Sequence, residues 1–81
     1  MNLKVRLFAT LKECVGAPHV TVDVSETAKV ADLLAALTEK YPTVEPSLRS
    51  ILISVNQEYA ERDQTIHPGD EIALFPPVSG G

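Results

Sequence analysis

The residues best suited to chemistry in this chain are its last two. Gly80 and Gly81 close the run Phe75-Pro76-Pro77-Val78-Ser79-Gly80-Gly81, so the α-carboxylate sits on a residue without a Cβ. Glycine reaches backbone conformations closed to other residues and is slim enough to enter a narrow slot. Pro76 and Pro77 fix φ, withdraw two backbone donors and end any strand that runs up to Phe75. They also hold the base of the tail in an extended, polyproline-like form. Fully extended, the run from Phe75 onward reaches roughly 20 Å. The expected design is a stiff neck with a reactive tip, residues 76–81, carried by a handle, residues 1–75. Most chain ends fray, and Ser79-Gly80-Gly81 read alone would be one of them. The two prolines and the β-branched Val78 ahead of the glycines argue for a built tail instead.

Other candidates for chemistry are weaker. Cys14 lies between Leu11 and Val15 with no basic cluster to activate its thiol, so it reads as a small buried apolar residue. His19 and His67 have no Ser, Cys or acid placed for a triad, and they read as solvated. One cysteine with two distant histidines makes no zinc pattern and permits no internal disulfide, so no metal is expected. Glu58, Glu61, Asp63, Asp70 and Glu71 bias the second half toward acid. A solvated face is the first reading of that bias, and steering toward a basic partner is the second.

Eighty-one residues with a net charge of −4 make one small domain. A chain of this length buries about 60–65 % of its unfolded surface, enough for one core and too little for an enclosed active site. The charge argues against nucleic acid and anionic membrane as partners. With no signal-peptide pattern and no apolar run of membrane length, a soluble cytoplasmic protein is expected.

The elements that must position the tail follow from periodicity. Residues 2–9 alternate, with Leu3, Val5, Leu7 and Ala9 on one face and Lys4, Arg6 and Phe8 on the other, which predicts a half-buried strand. Thr10–Val15 reads as a short helical turn closed by Gly16-Ala17-Pro18. His19–Val24 alternates again. Ser25-Glu26-Thr27 carries helix-start chemistry, and Val30, Leu33, Leu34 and Leu37 form an amphipathic stripe among helix-forming Ala28, Ala31, Ala35 and Ala36. Pro42 stops this helix near Tyr41. Thr43–Ser50 reads as a polar connection without a second long helix. Ile51–Val55 predicts a largely buried strand, Asn56-Gln57 a tight turn, and Glu58–Ala60 a short edge strand. Pro68-Gly69-Asp70 marks a turn before the last strand, Glu71–Phe75, with Ile72 and Leu74 inward and Ala73 and Phe75 outward. One helix must then cover one face of one mixed sheet, an α+β architecture of four to five strands. If the first and last strands lie side by side in the centre they run parallel, and Phe8 meets Phe75 on the uncovered face. As single residues, aromatics such as Phe8, Tyr59 and Phe75 belong in cores. Strand parity instead favours docking for Phe8 and Phe75 and leaves Tyr59 balanced between the two.

This order of elements resembles the ubiquitin-like β-grasp fold. The residues Leu7-Phe8-Ala9, Val55-Asn56-Gln57, Pro68-Gly69-Asp70-Glu71 and Leu74-Phe75-Pro76-Pro77-Val78-Ser79-Gly80-Gly81 resemble, more narrowly, the sulfur-carrier small subunit of molybdopterin synthase. A terminal Gly-Gly alone is weak, because many β-grasp modifiers share it; the acidic turn followed by Phe-Pro-Pro-Val-Ser-Gly-Gly is the specific part.

The resemblance implies a cycle at Gly81. A ubiquitin-activating-like adenylyltransferase, using ATP, adenylates the carboxylate; sulfur displaces AMP and leaves a thiocarboxylate. The large synthase subunit then takes Pro76, Pro77, Val78, Ser79 and Gly80 into its active site, where sulfur passes to cyclic pyranopterin monophosphate. Phe8, Tyr59 and Phe75 would form the partner-binding patch, and no tightly bound cofactor is implied. Two copies of this chain at the ends of a large-subunit dimer would complete the assembly. The rival readings are a protein modifier that forms isopeptide bonds through Gly81, a sulfur carrier to another acceptor such as thiazole synthesis, and a plain β-grasp binding domain.

Overall fold

The computed structural model describes residues 1–76. Their elements are β1 (Asn2–Leu7), α1 (Ala9–Val15), β2 (His19–Asp23), α2 (Val30–Lys40), a 3₁₀ segment (Pro42–Ser50), β3 (Leu52–Val55), β4 (Glu58–Tyr59) and β5 (Ile72–Phe75). The strands form one mixed sheet in the order β2-β1-β5-β3-β4. β1 and β5 are neighbours and run parallel, with Val5 opposite Ile72 and Leu7 opposite Leu74. β2 joins β1, and β3 joins β5, in antiparallel pairs.

The period-two pattern decides which face is buried. Leu3, Val5 and Leu7 of β1, Ile72 and Leu74 of β5, and Ile53 and Val55 of β3 all point into the core. α2 lays Val30, Leu33, Leu34 and Leu37 onto them. Taking each such side chain out of water is worth about 1.5–3 kcal/mol, so this stripe is the main hold of the helix on the sheet. Lys4, Arg6, Leu52, Ser54, Ala73 and Phe75 alternate with the buried set and are left on the other face.

Four expectations change. The Ser25-Glu26-Thr27 start is displaced, because α2 begins at Val30 and Ala28 is buried in a non-helical connection. Two of the helix's first free N–H groups find main-chain acceptors from a distant loop: Val30 N–H donates to the Gln64 carbonyl (2.9 Å) and Ala31 N–H to the Arg62 carbonyl (2.8 Å). Asp32 adds a carboxylate that accepts from the Lys29 N–H at 2.9 Å. A helix terminus needs acceptors for those donors, and here tertiary structure supplies them in place of a Ser or Thr cap. At the other end Tyr41, forced out of the α region by Pro42, closes α2 as expected.

The stretch expected as a polar connection is the 3₁₀ segment, and it buries Val44 and Leu48 against α1 and α2. Two apolar side chains four residues apart plug the end of the core that the single long helix leaves open. Ala9 is not a strand residue: β1 stops at Leu7, and Ala9, at φ 51°, opens α1. Cys14 is exposed, not buried. α1 is short and turns Leu11 fully inward with Val15 beside it, which leaves Cys14 on the flank. Gly16, at φ 84°, ends α1 by donating its N–H to the Lys12 carbonyl (2.8 Å).

Candidate docking face at the root of the tail

The face that α2 does not cover is organised in rows across the strands. Register places Arg6 of β1 opposite Ala73 of β5, Ala73 opposite Ser54 of β3, and Ser54 opposite Tyr59 of β4. In the next row Phe75 lies opposite Leu52. Phe8 follows β1 in an extended conformation, φ −124° and ψ 151°, so its ring continues the outward alternation. The Phe8 and Phe75 rings stack with centroids 4.5 Å apart and planes inclined by 12°. Arg6 holds its guanidinium carbon 5.5 Å from the Phe8 centroid. Tyr59 is 80 % exposed, which removes it from the core.

These residues surround a cleft of about 500 Å³ with a small-residue floor, Ala73 and Ser54, apolar or amphipathic walls, Phe8, Phe75, Leu52 and Tyr59, and two charged lining residues, Arg6 and Glu71. Phe8 and Phe75 are half-buried, and Pro76 leaves β5 directly beside them. An apolar patch of this kind on a small domain is a candidate site for another surface. The sequence-predicted residues Phe8, Tyr59 and Phe75 therefore share one face, and Pro76 follows Phe75 in the chain. Pro77, Val78, Ser79, Gly80 and Gly81 lie outside the described residues.

One arrangement was not foreseen as part of this face. Asn56 and Gln57 both adopt left-handed backbone, φ 53° and 69°, the pattern of a type I′ hairpin turn. The turn is bolted to the residues just before β5. Asn56 Nδ2 donates to Asp70 Oδ1 at 3.0 Å, Asn56 Oδ1 accepts from the Glu71 N–H at 2.9 Å, and the Asn56 N–H donates to the Glu71 carbonyl at 2.8 Å. Asp70 Oδ2 accepts from the His67 N–H at 2.8 Å, with His67 Nδ1 at 3.8 Å. Burial pushes the Asp70 carboxyl upward, but the hydrogen bonds from His67 and Asn56, with the His67 charge, outweigh it and hold the group below its ordinary value. Asp70 is thus a structural residue rather than one of a solvated acidic set; Glu58, Glu61, Asp63 and Glu71 are exposed. The signals for the clasp were present as two separate turns, Asn56-Gln57 and Gly69-Asp70, with nothing local to say that they touch.

Among the described residues no three of His, Cys, Asp and Glu converge where they could hold a metal ion. His19 and His67 are both exposed. Among the described residues no helix is long and apolar enough to cross a membrane.

Residues 5–81 match the ThiS family. The molybdopterin synthase sulfur carrier subunit of Dictyostelium discoideum is 41 % identical over 83 residues, covering 99 % of this chain and 96 % of that one. Small archaeal modifier protein 1 of Haloferax volcanii is 40 % identical over 84 residues, covering 94 % of this chain and 97 % of its own length. Its crystal structure superposes with a TM-score of 0.91 at 38 % identity, covering both chains fully. A chain in the complex of subunits 1 and 2 of the molybdopterin-converting factor from Helicobacter pylori has the same fold, with a TM-score of 0.71 at 23 % identity and full coverage of both chains. These neighbours make the β-grasp architecture of the sheet and helix a shared one.

Proposed function

The chain belongs to the ThiS family, and from that premise we propose that it is the sulfur carrier subunit of a molybdopterin synthase, loaded and unloaded at Gly81. The observation that carries the reading is positional. The stacked Phe8 and Phe75 pair, on the uncovered face, lies where Pro76 leaves the sheet toward the terminal glycines. A partner docked on that pair is placed to receive the tail. Full-length identity of 41 % to a sulfur carrier subunit supports the same assignment.

The chemistry is as follows. A carboxylate is a poor electrophile because its leaving group would be oxide. An ATP-using adenylyltransferase couples Gly81 to AMP and releases pyrophosphate, which creates a good leaving group. Sulfur at the sulfide oxidation level attacks the acyl carbon and displaces AMP, giving the thiocarboxylate. Its ionised sulfur is a soft nucleophile and attacks an oxygen-bearing side-chain carbon of cyclic pyranopterin monophosphate in the large subunit, so that a C–S bond replaces a C–O bond and that oxygen departs as the leaving group. Hydrolysis of the acyl–sulfur bond then returns the Gly81 carboxylate and leaves the sulfur on the product. A thin tail suits this cycle, because the globule stays outside while the tip enters a site that excludes bulk water. This chain supplies the acyl group and the docking face, and the partners supply catalysis. ATP is consumed by the activating enzyme and is not held here. ATP is abundant in the cytoplasm, and a cycle fed by it supports that compartment.

Intact-mass spectrometry of the chain co-expressed with its activating enzyme tests the reading. A mass gain equal to sulfur minus oxygen, localised to Gly81, is expected. Absence of that species, with full synthase activity from a chain lacking Gly81, removes it. The likeness to an archaeal modifier protein favours a second reading, attachment of Gly81 to lysines of other proteins. Higher-mass conjugates that survive reduction, found in cells carrying a tagged chain, would establish that one.

A further inference from the structure

The cleft beneath Phe8 and Phe75 has one cationic wall, and we propose that it seats a partner segment presenting a single carboxylate side chain beside an aliphatic one, the carboxylate being read by Arg6. The inference rests on the docking reading above and names what the partner must carry.

Arg6 is arranged for such a contact. Its guanidinium lies over Phe8, which in turn stacks on Phe75, so three planar groups form one pile at the edge of the cleft. That stacking restricts a long side chain before any partner arrives. Among the described residues the close contacts of carboxylates with cationic or imidazole nitrogens are the N-terminus with Asp23 and His67 with Asp70, and neither uses Arg6. Glu71 lines the same cleft, yet among the described residues no carboxylate is in salt-bridge contact with the Arg6 guanidinium, which keeps its fork of donors at the cleft.

The floor explains the second half of the requirement. Between Arg6 on β1 and Tyr59 on β4 lie Ala73 and Ser54, the smallest side chains on this face. Three strand spacings separate the two walls, about 14 Å of backbone, and the short side chains leave the space between them open. Leu52 and Phe75 line its apolar side. An aliphatic side chain fills that space, with an acid one position away over Arg6.

Docking also favours an acid on the partner. A partner that covers Phe8 and Phe75 takes the adjacent guanidinium out of water. A buried unpaired charge is costly, whereas a planar guanidinium and a carboxylate satisfy one another through two parallel hydrogen bonds. The chain as a whole carries a charge of −4, so an acidic partner surface would be repelled at long range. The complementary surface is consequently neutral or basic overall, with one acid embedded where Arg6 lands.

Titration calorimetry with the large molybdopterin synthase subunit tests this, using the wild-type chain, Arg6→Gln, Arg6→Lys, Arg6→Glu and Phe75→Ala. Arg6 is exposed, and unchanged far-ultraviolet spectra of its variants would confirm that the fold is intact. Arg6→Gln should weaken binding at least about tenfold, Arg6→Glu further and Arg6→Lys less, since lysine keeps the charge and loses the fork. Reversing the partner's matching acid should restore binding of Arg6→Glu. If Arg6→Gln binds within about twofold of wild type while Phe75→Ala fails, the face is used but no carboxylate meets Arg6, and the inference is overturned alone. If the wild-type chain does not bind, the docking reading falls and takes the inference with it.

Discussion

Asn56 donates its side-chain N–H to Asp70 at 3.0 Å, and that bond ties the β3–β4 hairpin to the turn just before β5. The same asparagine accepts from the Glu71 N–H, so one side chain replaces the strand pairing that the two turns interrupt. Through β4 the clasp also places Tyr59 at the rim of the cleft.

Asn56→Ala removes both side-chain bonds and leaves the Asp70 carboxylate short of a donor. A loss of about 1–2 kcal/mol in stability is expected, measured by urea unfolding near neutral pH. The cost should shrink in acid. Asp70 has a lower pKa folded than unfolded, so its contribution is complete above the ordinary carboxylate value of 3.8 and fades as pH falls through the depressed folded value. Asp70→Asn should therefore differ most from wild type at neutral pH and converge with it in strong acid. A difference that grew toward low pH would contradict the assignment.

Phe75→Ala should spare the fold and damage docking. The ring is half-buried on the open face, and its stacking on Phe8 is worth about 1 kcal/mol beyond area. Against the large synthase subunit an affinity loss of about 10- to 100-fold is expected, the range of an aromatic anchor. A cooperative unfolding transition close to wild type should accompany it. Collapse of the fold instead would place Phe75 among the core residues.

Leu33 is fully buried at the centre of the α2 stripe. Leu33→Ala removes an isopropyl group from the face of α2 that packs into the core. About 2–5 kcal/mol should be lost, a large share of the stability of a domain this small. Chemical denaturation gives the value directly. A cost under 1 kcal/mol would mean that α2 is held by something other than this stripe.

Extension of the chain by one residue after Gly81 should abolish thiocarboxylate formation, because the reacting carboxylate becomes an amide. Binding to the large subunit through the open face should fall far less. Mass spectrometry and calorimetry on the same sample separate the two effects.

The amino-acid order by itself determined most of what depends on a short period, Ala9 excepted. Alternation in β1, β2 and β5 set which side chains face inward, and the Val30, Leu33, Leu34, Leu37 stripe set the face of α2. The same parity put Phe8 and Phe75 outward, and the pairing of first and last strands brought them together. Tertiary structure decided the features whose partners are remote in sequence. α2 begins at Val30 because the carbonyls of Gln64 and Arg62 arrive there, and no local residue announces them. Val44 and Leu48 are buried because the core needs closing at that end, although their surroundings read as a polar connection. Cys14 is exposed because α1 has room to turn only Leu11 and Val15 toward the core. The clasp of Asn56 on Asp70 joins two turns that each look self-sufficient. A periodic pattern specifies a surface, but the identity of what meets that surface is settled only when the chain closes on itself.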